Sequence, residues 1–327
     1  MSEKILITGG AGFIGSYICR KLIELNHMPI VYDSFVQYIS PFDSLYQTYL
    51  TERFLGIKDK IIFERGDTRD KSNVRRVISK HKPDRIIHLA ALPIADLSNT
   101  HSEEALSSIL QGAVNVLEIA RDVDFIKRVV YTSSSMIYGD FQYTPADEEH
   151  PKKPKDIYGG TKYAGEILVE TFGRRYGIKY TIIRPSAVYG PTDVNRRVSQ
   201  IFVENAILGK TLTLHRGGDN VLDFTFVEDT ADGFVKATFS DNAVNQIFNI
   251  TRGEGRTLKE FVDILKTIIP NIKTIETEGD LFRPKRGALD ISKARKLLGY
   301  EPKYSLEQGL KKYVEFVLKK FEEGKLK

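Results

Sequence analysis

Seven short runs rich in β-branched and aromatic residues recur along the chain, with helical stretches between them. They are Lys4–Thr8, Pro29–Tyr32, Lys60–Phe63, Asp84–Leu89, Arg128–Thr132, Tyr180–Arg184 and Gln246–Ile250. Most are near-continuous apolar runs, as strands covered on both faces are. The stretches between them repeat apolar residues at helical spacing, as in Ile14, Ile18, Leu22 and Leu25, or Val74, Val77 and Ile78. This alternation predicts an α/β fold, a doubly wound parallel sheet with helices on both faces. After Tyr189 the alternation loosens, and Pro191–Arg197 and Arg216–Asn220 read as loops. The predicted organisation is a first domain over residues 1–186, rejoined by about 222–252, and a smaller mixed α/β region over 187–327.

The first run ends in Thr8-Gly9-Gly10-Ala11-Gly12-Phe13-Ile14-Gly15, which places glycines at 9, 12 and 15 on a strand-to-helix turn. A side chain there would hold the backbone away from a pyrophosphate, for which the helix N-terminus supplies amide donors. The second run leads to Asp33, 24 residues after Gly9. A carboxylate at that place accepts hydrogen bonds from the hydroxyls of an adenosine ribose and repels a 2′-phosphate. The pattern therefore predicts a bound dinucleotide, NAD rather than NADP. The next two runs end in Gly66-Asp67-Thr68-Arg69-Asp70 and His88-Leu89-Ala90-Ala91. These are strand ends, where open α/β sheets bind ligands. Small Ala90 and Ala91 let a cofactor lie close to the backbone, and His88 reads as a satisfied structural histidine.

Tyr158 and Lys162 lie four residues apart, hence on one face of a helix. An ammonium beside a phenol stabilises the phenolate, and the positive ring of NAD⁺ lowers the phenol pKa further. Such a tyrosine is a base useful near neutral pH. Upstream, Ser133-Ser134-Ser135 follows the fifth run and offers hydroxyls to a reacting oxygen.

Composition narrows the remaining classes. The net charge of +5 over 327 residues is spread along the chain, without the concentrated stripe of a nucleic-acid binder. Lys311–Lys327 reads as a solvated amphipathic helix, with Leu306, Leu310, Tyr313, Val314, Val317, Leu318 and Phe321 on one face and Ser305 and Gln308 spaced as a capping box. No apolar run approaches the roughly 20 residues of a membrane span. No two of the six histidines, nor a histidine and Cys19, stand at metal-ligand spacing. With Cys19 alone and no secretory leader, a cytoplasmic protein without disulfides, metal, nucleic acid or membrane is expected.

In order and spacing the motifs resemble those of the extended short-chain dehydrogenase/reductase family, and within it the NAD-dependent sugar-nucleotide epimerases and dehydratases. The matching segments are TGGAGFIG at 8–15, GDTRD at 66–70, HLAA at 88–91, TSSSMIYG at 132–139, YGGTK at 158–162, RPSAVYGP at 184–191, LDFTFVED at 222–229 and DISKARKLLGYEP at 290–302. The resemblance implies a Rossmann-type fold and a catalytic set of Ser134, Tyr158 and Lys162. It implies a cofactor site of Gly9, Gly12, Phe13, Ile14, Gly15, Asp33, Asp67, Thr68, Leu89, Ala90, Ala91, Pro185 and Ser186, joined by Tyr158 and Lys162. It implies a homodimer built on the helix near 104–121 and the helix bearing Tyr158. Pro93 and Ser134 are expected to touch the sugar nucleotide.

Three positions depart from the family pattern: Ile109 stands where an asparagine is usual, Ala187 for a sugar-binding asparagine, and Leu222 for a phosphate-binding arginine. Arg283 and Arg286 are expected to take the diphosphate instead, since guanidinium groups grip phosphates bidentately; Arg196 and Arg197 are weaker candidates. The 4,6-dehydratases carry Thr-Asp-Glu where this chain has Ser134-Ser135-Met136. The resemblance therefore points to a 4-epimerase of the UDP-glucose type, inverting C4 through a transient keto sugar. The alternatives are an NAD(P)-dependent reductase or dehydrogenase of a nucleotide keto sugar, and a non-catalytic NAD-binding regulator.

Overall fold

Each of the seven apolar runs becomes a strand of one sheet. The computed structural model describes residues 2–38, 45–279 and 283–326. Its strands β1 (Lys4–Thr8), β2 (Met28–Asp33), β3 (Ile62–Arg65), β4 (Arg85–His88), β5 (Arg128–Thr132) and β6 (Tyr180–Pro185) alternate with helices α1 (Phe13–Glu24), α2 (Tyr46–Phe54), α3 (Lys71–His81), α4 (Ala95–Thr100), α5 (Ser102–Ala105), α6 (Gly112–Arg121) and α7 (Ile157–Tyr176). There follow β7 (Val188–Tyr189), α8 (Val198–Ile207), β8 (Leu212–His215), β9 (Val221–Asp223), β10 (Thr225–Phe226), α9 (Val227–Phe239), β11 (Gln246–Ile250), β12 (Gly255–Thr257), α10 (Leu258–Ile268), β13 (Thr274–Thr277), α11 (Ser292–Leu298) and α12 (Leu306–Glu322).

The seven-stranded sheet runs β11-β6-β5-β4-β1-β2-β3, with every pairing parallel. Its order turns back between β1 and β4, so the carboxyl ends of these two strands open a crevice at the switch point. Each face of the sheet has its own core. One is built on Ile5, Ile7, Ile18, Leu22 and Phe234 from β1, α1 and α9. The other is built on Leu6, Val74, Ile78, Val116 and Val169 from β1, α3, α6 and α7. A third core, with Phe202, Phe261, Leu310 and Val314, belongs to the C-terminal region. There the strands pair only in twos: β10 with β7, β12 with β9, and β13 with β8.

α12 carries the expected capping box: Ser305 Oγ accepts from the Gln308 amide, and the Ser305 amide donates to Gln308 Oε1 at 3.0 Å. Three details differ from expectation. Leu25 falls beyond the end of α1 and is 51% exposed, and Phe321 is 43% exposed at the last turn of α12. The stretch near 104–121 is not one α-helix, because a π-turn over Leu106–Gln111 separates α5 from α6. Its residues are ordinary helix formers, so nothing in the sequence marks that interruption. Among the described residues no helix is long and apolar enough to cross a membrane.

Candidate active site

The crevice above β1 and β4 continues into one cavity of about 710 Å³ that runs on between the sheet and the C-terminal region. Its first wall is the glycine turn. Gly9 adopts φ +69°, and a Cβ on it would lie 2.8 Å from the Ala90 amide nitrogen. A Cβ on Gly15 would lie 2.7 Å from Gly10 Cα. Turn, neighbouring strand and helix start thus approach too closely for any side chain, and the backbone amides at the start of α1 are left open to an anion. Phe13 and Ile14 line the same wall.

At the end of β2, Asp33 is the acceptor the sequence predicts, but both its oxygens already hold backbone. Oδ2 accepts from the Ala11 amide at 2.9 Å and Oδ1 from the Phe35 amide at 2.8 Å. Burial pushes its carboxyl up, while those amides and the nearby Arg53 guanidinium pull it back. Each carboxylate oxygen keeps a further lone pair for a ligand hydroxyl. Asp67 also borders the cavity, with its carboxylate held by Arg69 Nη2 at 2.6 Å and Nε at 3.0 Å. Thr68 is fixed through its carbonyl, which accepts from Asn115 Nδ2 at 2.8 Å. Leu89, Ala90, Ala91 and Pro93 continue the wall from β4.

His88 corrects the expectation of a fully satisfied side chain. Its Nδ1 lies 2.7 Å from Thr8 Oγ1, but Nε2 is buried without a hydrogen-bond partner among the described residues. Burial, reinforced by the Lys162 charge, drives its pKa down to about 3, so the ring is neutral.

The catalytic candidates converge from two elements. Asp156 caps α7, its carboxylate accepting from the Gly159 amide at 2.6 Å. That cap aims the first turn of the helix, and with it Tyr158, into the cavity. Lys162, one turn on, is 2% exposed; its Nζ donates to the Thr132 carbonyl at 2.8 Å and stands 5.9 Å from the centre of the Tyr158 ring. Burial lowers the lysine to about 7, opposed by the Glu166 carboxylate on the next turn. Burial raises the Tyr158 phenol, while the Arg197 guanidinium and the neighbouring Ser134 hydroxyl pull it back. Of the three serines, Ser134 is thus the one beside the phenol. Ser135 turns away to donate to Ser186 Oγ at 3.0 Å, and Ser133 Oγ is buried without a partner among the described residues. Pro185 and Ser186 form the facing rim.

The far end of the cavity belongs to the C-terminal region. Arg283, mostly exposed, reaches Asp96 at 3.4 Å. Arg286 also lines the cavity, its Nε buried and without a hydrogen-bond partner among the described residues. Burial holds its pKa down to about 10. Arg196 pairs with Glu204 and Arg197 with the fully buried Asp193. The three departures from the family pattern also lie at the cavity or directly behind it. Ile109 packs with Leu92 and Ala105 behind Tyr158. Ala187 holds a left-handed backbone with φ +36°. Leu222 lines the cavity and joins the C-terminal core.

Sequence reasoning missed Arg53, which is 3% exposed at this wall. It donates to the Ala11 carbonyl 42 residues away, and no local signal announces such a contact.

Comparison with known proteins agrees with this architecture. Residues 5–251 match the NAD dependent epimerase/dehydratase family. A putative UDP-glucose 4-epimerase of Methanocaldococcus jannaschii is 33% identical over 321 residues, 96% of this chain and 98% of that one. A dTDP-glucose 4,6-dehydratase of Neisseria meningitidis is 29% identical over 97% of this chain and 93% of its own. The solved structure of UDP-glucuronic acid 4-epimerase from Bacillus cereus, in complex with UDP-glucuronic acid and NAD, superposes with a TM-score of 0.88 at 25% identity, covering 97% of this chain and 99% of that chain. A glycine cradle with no room for side chains, an acidic end to β2 and a buried Tyr–Lys pair on one cavity are what an NAD enzyme of this type needs, and the chain belongs to the NAD-dependent epimerase/dehydratase family.

Proposed function

We propose that this protein is an NAD-dependent 4-epimerase of a nucleotide-activated sugar. One observation carries the reading: at the place where the dehydratase relatives are expected to carry an extra acid and base, the wall beside Tyr158 presents Ser134 to the phenol, turns Ser135 toward Ser186 and lines the cavity with Met136. A thioether neither donates nor accepts a proton usefully, so that wall has little to offer water elimination.

In this reading the turn at Gly9, Gly12 and Gly15, with Phe13 and Ile14, holds the cofactor pyrophosphate. Asp33 takes the adenosine ribose, Asp67 and Thr68 the adenine, and Leu89, Ala90, Ala91, Pro185 and Ser186 the nicotinamide half. Bound NAD⁺ supplies a hydride acceptor and a positive charge beside the phenol. Tyr158 takes the proton from the sugar hydroxyl. Lys162, protonated, makes that possible by stabilising the phenolate, and Ser134 holds the reacting oxygen. Tyr158 then returns the proton after the keto sugar has turned over. Pro93, Arg283 and Arg286 hold the substrate, with Arg286 supplying charge where Leu222 does not.

We assign residues 1–186, with about 222–252, to the cofactor domain and the rest of 187–327 to the substrate. We also assign a cytoplasmic homodimer. Leu106, Ile157 and Ile167 are 49%, 42% and 46% exposed around α7 and the broken helix before it, apolar surface suited to a second copy.

The test is incubation of the NAD-loaded protein with UDP-, GDP-, CDP- and dTDP-sugars singly, followed by proton NMR. A new anomeric signal of an epimer without net NADH is expected. A deoxy-sugar methyl signal would mean dehydration, and NADH rising with product would mean a dehydrogenase.

A further inference from the structure

The wall between cofactor and substrate contains a buried cation that the proposed mechanism does not use. Arg53 lies in the last turn of α2, 3% exposed. Its Nη1 donates to the carbonyl of Ala11 in the glycine turn at 2.9 Å, and its Nη2 donates to the carbonyl of Thr192 at 2.6 Å. Its Nε is buried and has no partner, and no carboxylate lies within ion-pair distance of it among the described residues. Among the described residues the guanidinium is hydrogen-bonded to two carbonyls and lies 6.0 Å from the centre of the Tyr46 ring, and burial there carries a considerable desolvation cost. The end of α2 is tied to α1, because Arg20 Nη2 donates to the carbonyls of Glu52, Arg53 and the following Leu55.

The second carbonyl belongs to a strained segment. Thr192 is 4% exposed with φ +72°, a conformation that a β-branched residue rarely adopts. Arg196, in the same segment, has φ +54°. Such backbone persists only where its surroundings over-determine it. The surroundings here are Arg53, the Tyr17 hydroxyl on the Pro191 carbonyl at 3.2 Å, and Asp193, fully buried and paired with Arg197 at 3.2 Å. The segment 191–197 presents Val194, Asn195, Arg196 and Arg197 to the cavity.

We propose that Arg53 is a positioning residue that couples the two halves of the site: by bonding at once to Ala11 and Thr192, it transmits the ordering of the cofactor turn to the strained substrate loop. NAD bound on the glycine turn fixes Ala11, Ala11 fixes Arg53, and Arg53 fixes the backbone that carries Arg196 and Arg197. The inference rests on the cofactor site alone and not on the epimerase reading, so it is tested without turnover.

The experiment is amide hydrogen exchange with and without saturating NAD⁺, alongside calorimetric NAD⁺ titration. In the unaltered protein NAD⁺ is expected to slow exchange both at 9–15 and at 191–197. Arg53→Met is expected to weaken NAD⁺ binding about ten- to a hundredfold. At saturating NAD⁺ it protects 9–15 but no longer 191–197. Arg53→Lys keeps the charge but reaches only one carbonyl; it recovers most of the affinity and not the protection of the loop. A purely structural role would speed exchange at both segments equally, whether or not NAD⁺ is present. Unchanged NAD⁺-induced protection at 191–197 in folded Arg53→Met overturns the proposal. Should that variant not fold, Arg53→Lys decides: full protection of the loop overturns the coupling, and its loss upholds it.

Discussion

Tyr158 and Lys162 are each pushed by burial toward their neutral forms, the phenol up and the ammonium down to about 7. The pair is therefore useful only as phenolate with ammonium, each charge stabilising the other. The active form has lost one of the pair's two protons, so kcat/KM is predicted to rise with pH up to about 7 and then level off, and a profile that falls as pH rises through 7 would contradict that role. Tyr158→Phe is predicted to lower turnover about 10²- to 10⁴-fold while NAD⁺ affinity, read by titration, stays within about threefold. Gly9→Ala places a methyl group 2.8 Å from the Ala90 nitrogen at φ +69°. It is predicted to cost about 1–3 kcal/mol in denaturant unfolding and to abolish NAD⁺ retention. The meeting of these residues at one cavity was legible in the sequence because it follows from local spacing: i to i+4 on a helix, or glycines on one turn. Arg53 and the orphaned ring nitrogen of His88 were not, because each depends on partners far along the chain.

At the scale of elements, α7 is anchored one turn below Lys162. Glu166 on α7 receives Arg184 of β6 through Nη2 at 2.7 Å and Nε at 2.9 Å, with both side chains almost fully buried. The remaining Arg184 donor meets Tyr138 OH at 2.9 Å and the Glu148 carbonyl at 2.8 Å. This cluster ties the helix bearing Lys162 to the strand that ends in Pro185 and to the turn that begins at Ser134. Removing one partner leaves the other charge buried, so Arg184→Met is predicted to lose about 3–5 kcal/mol in urea unfolding, and Arg184→Met with Glu166→Leu distinctly less. The strands themselves were readable, since burial on both faces demands apolar runs: three of the seven coincide with their predicted bounds, three differ by one residue at one or both ends, and Lys60–Phe63 is displaced by two to Ile62–Arg65. The two- to four-residue pairings of the C-terminal region were not, because strands so short carry no period.

Across the whole molecule, α2 is the bridge between the sheet and the C-terminal region. Besides Arg53 it carries Glu52, which meets the nearly buried Lys320 of α12 at 2.6 Å, and Tyr49, whose ring centre lies 5.5 Å from that of Phe316. Lys320→Met is predicted to speed amide exchange through α12 while leaving β1 and β4 protected, since those strands belong to another core. The change from one broad sheet to strands paired in twos could be read from the loosening of the alternation after Tyr189; this bridge could not, because it joins residues 268 positions apart. In the proposed epimerisation one cofactor removes and returns the same hydride across a sugar held in the cavity. That return is tested most directly with a nucleotide sugar, taken from the panel as the one converted, that carries deuterium at C4. Both epimers are expected to keep the deuterium at C4 at equilibrium in ordinary water, whereas its washout into solvent at the rate of inversion would rule out hydride return from the cofactor.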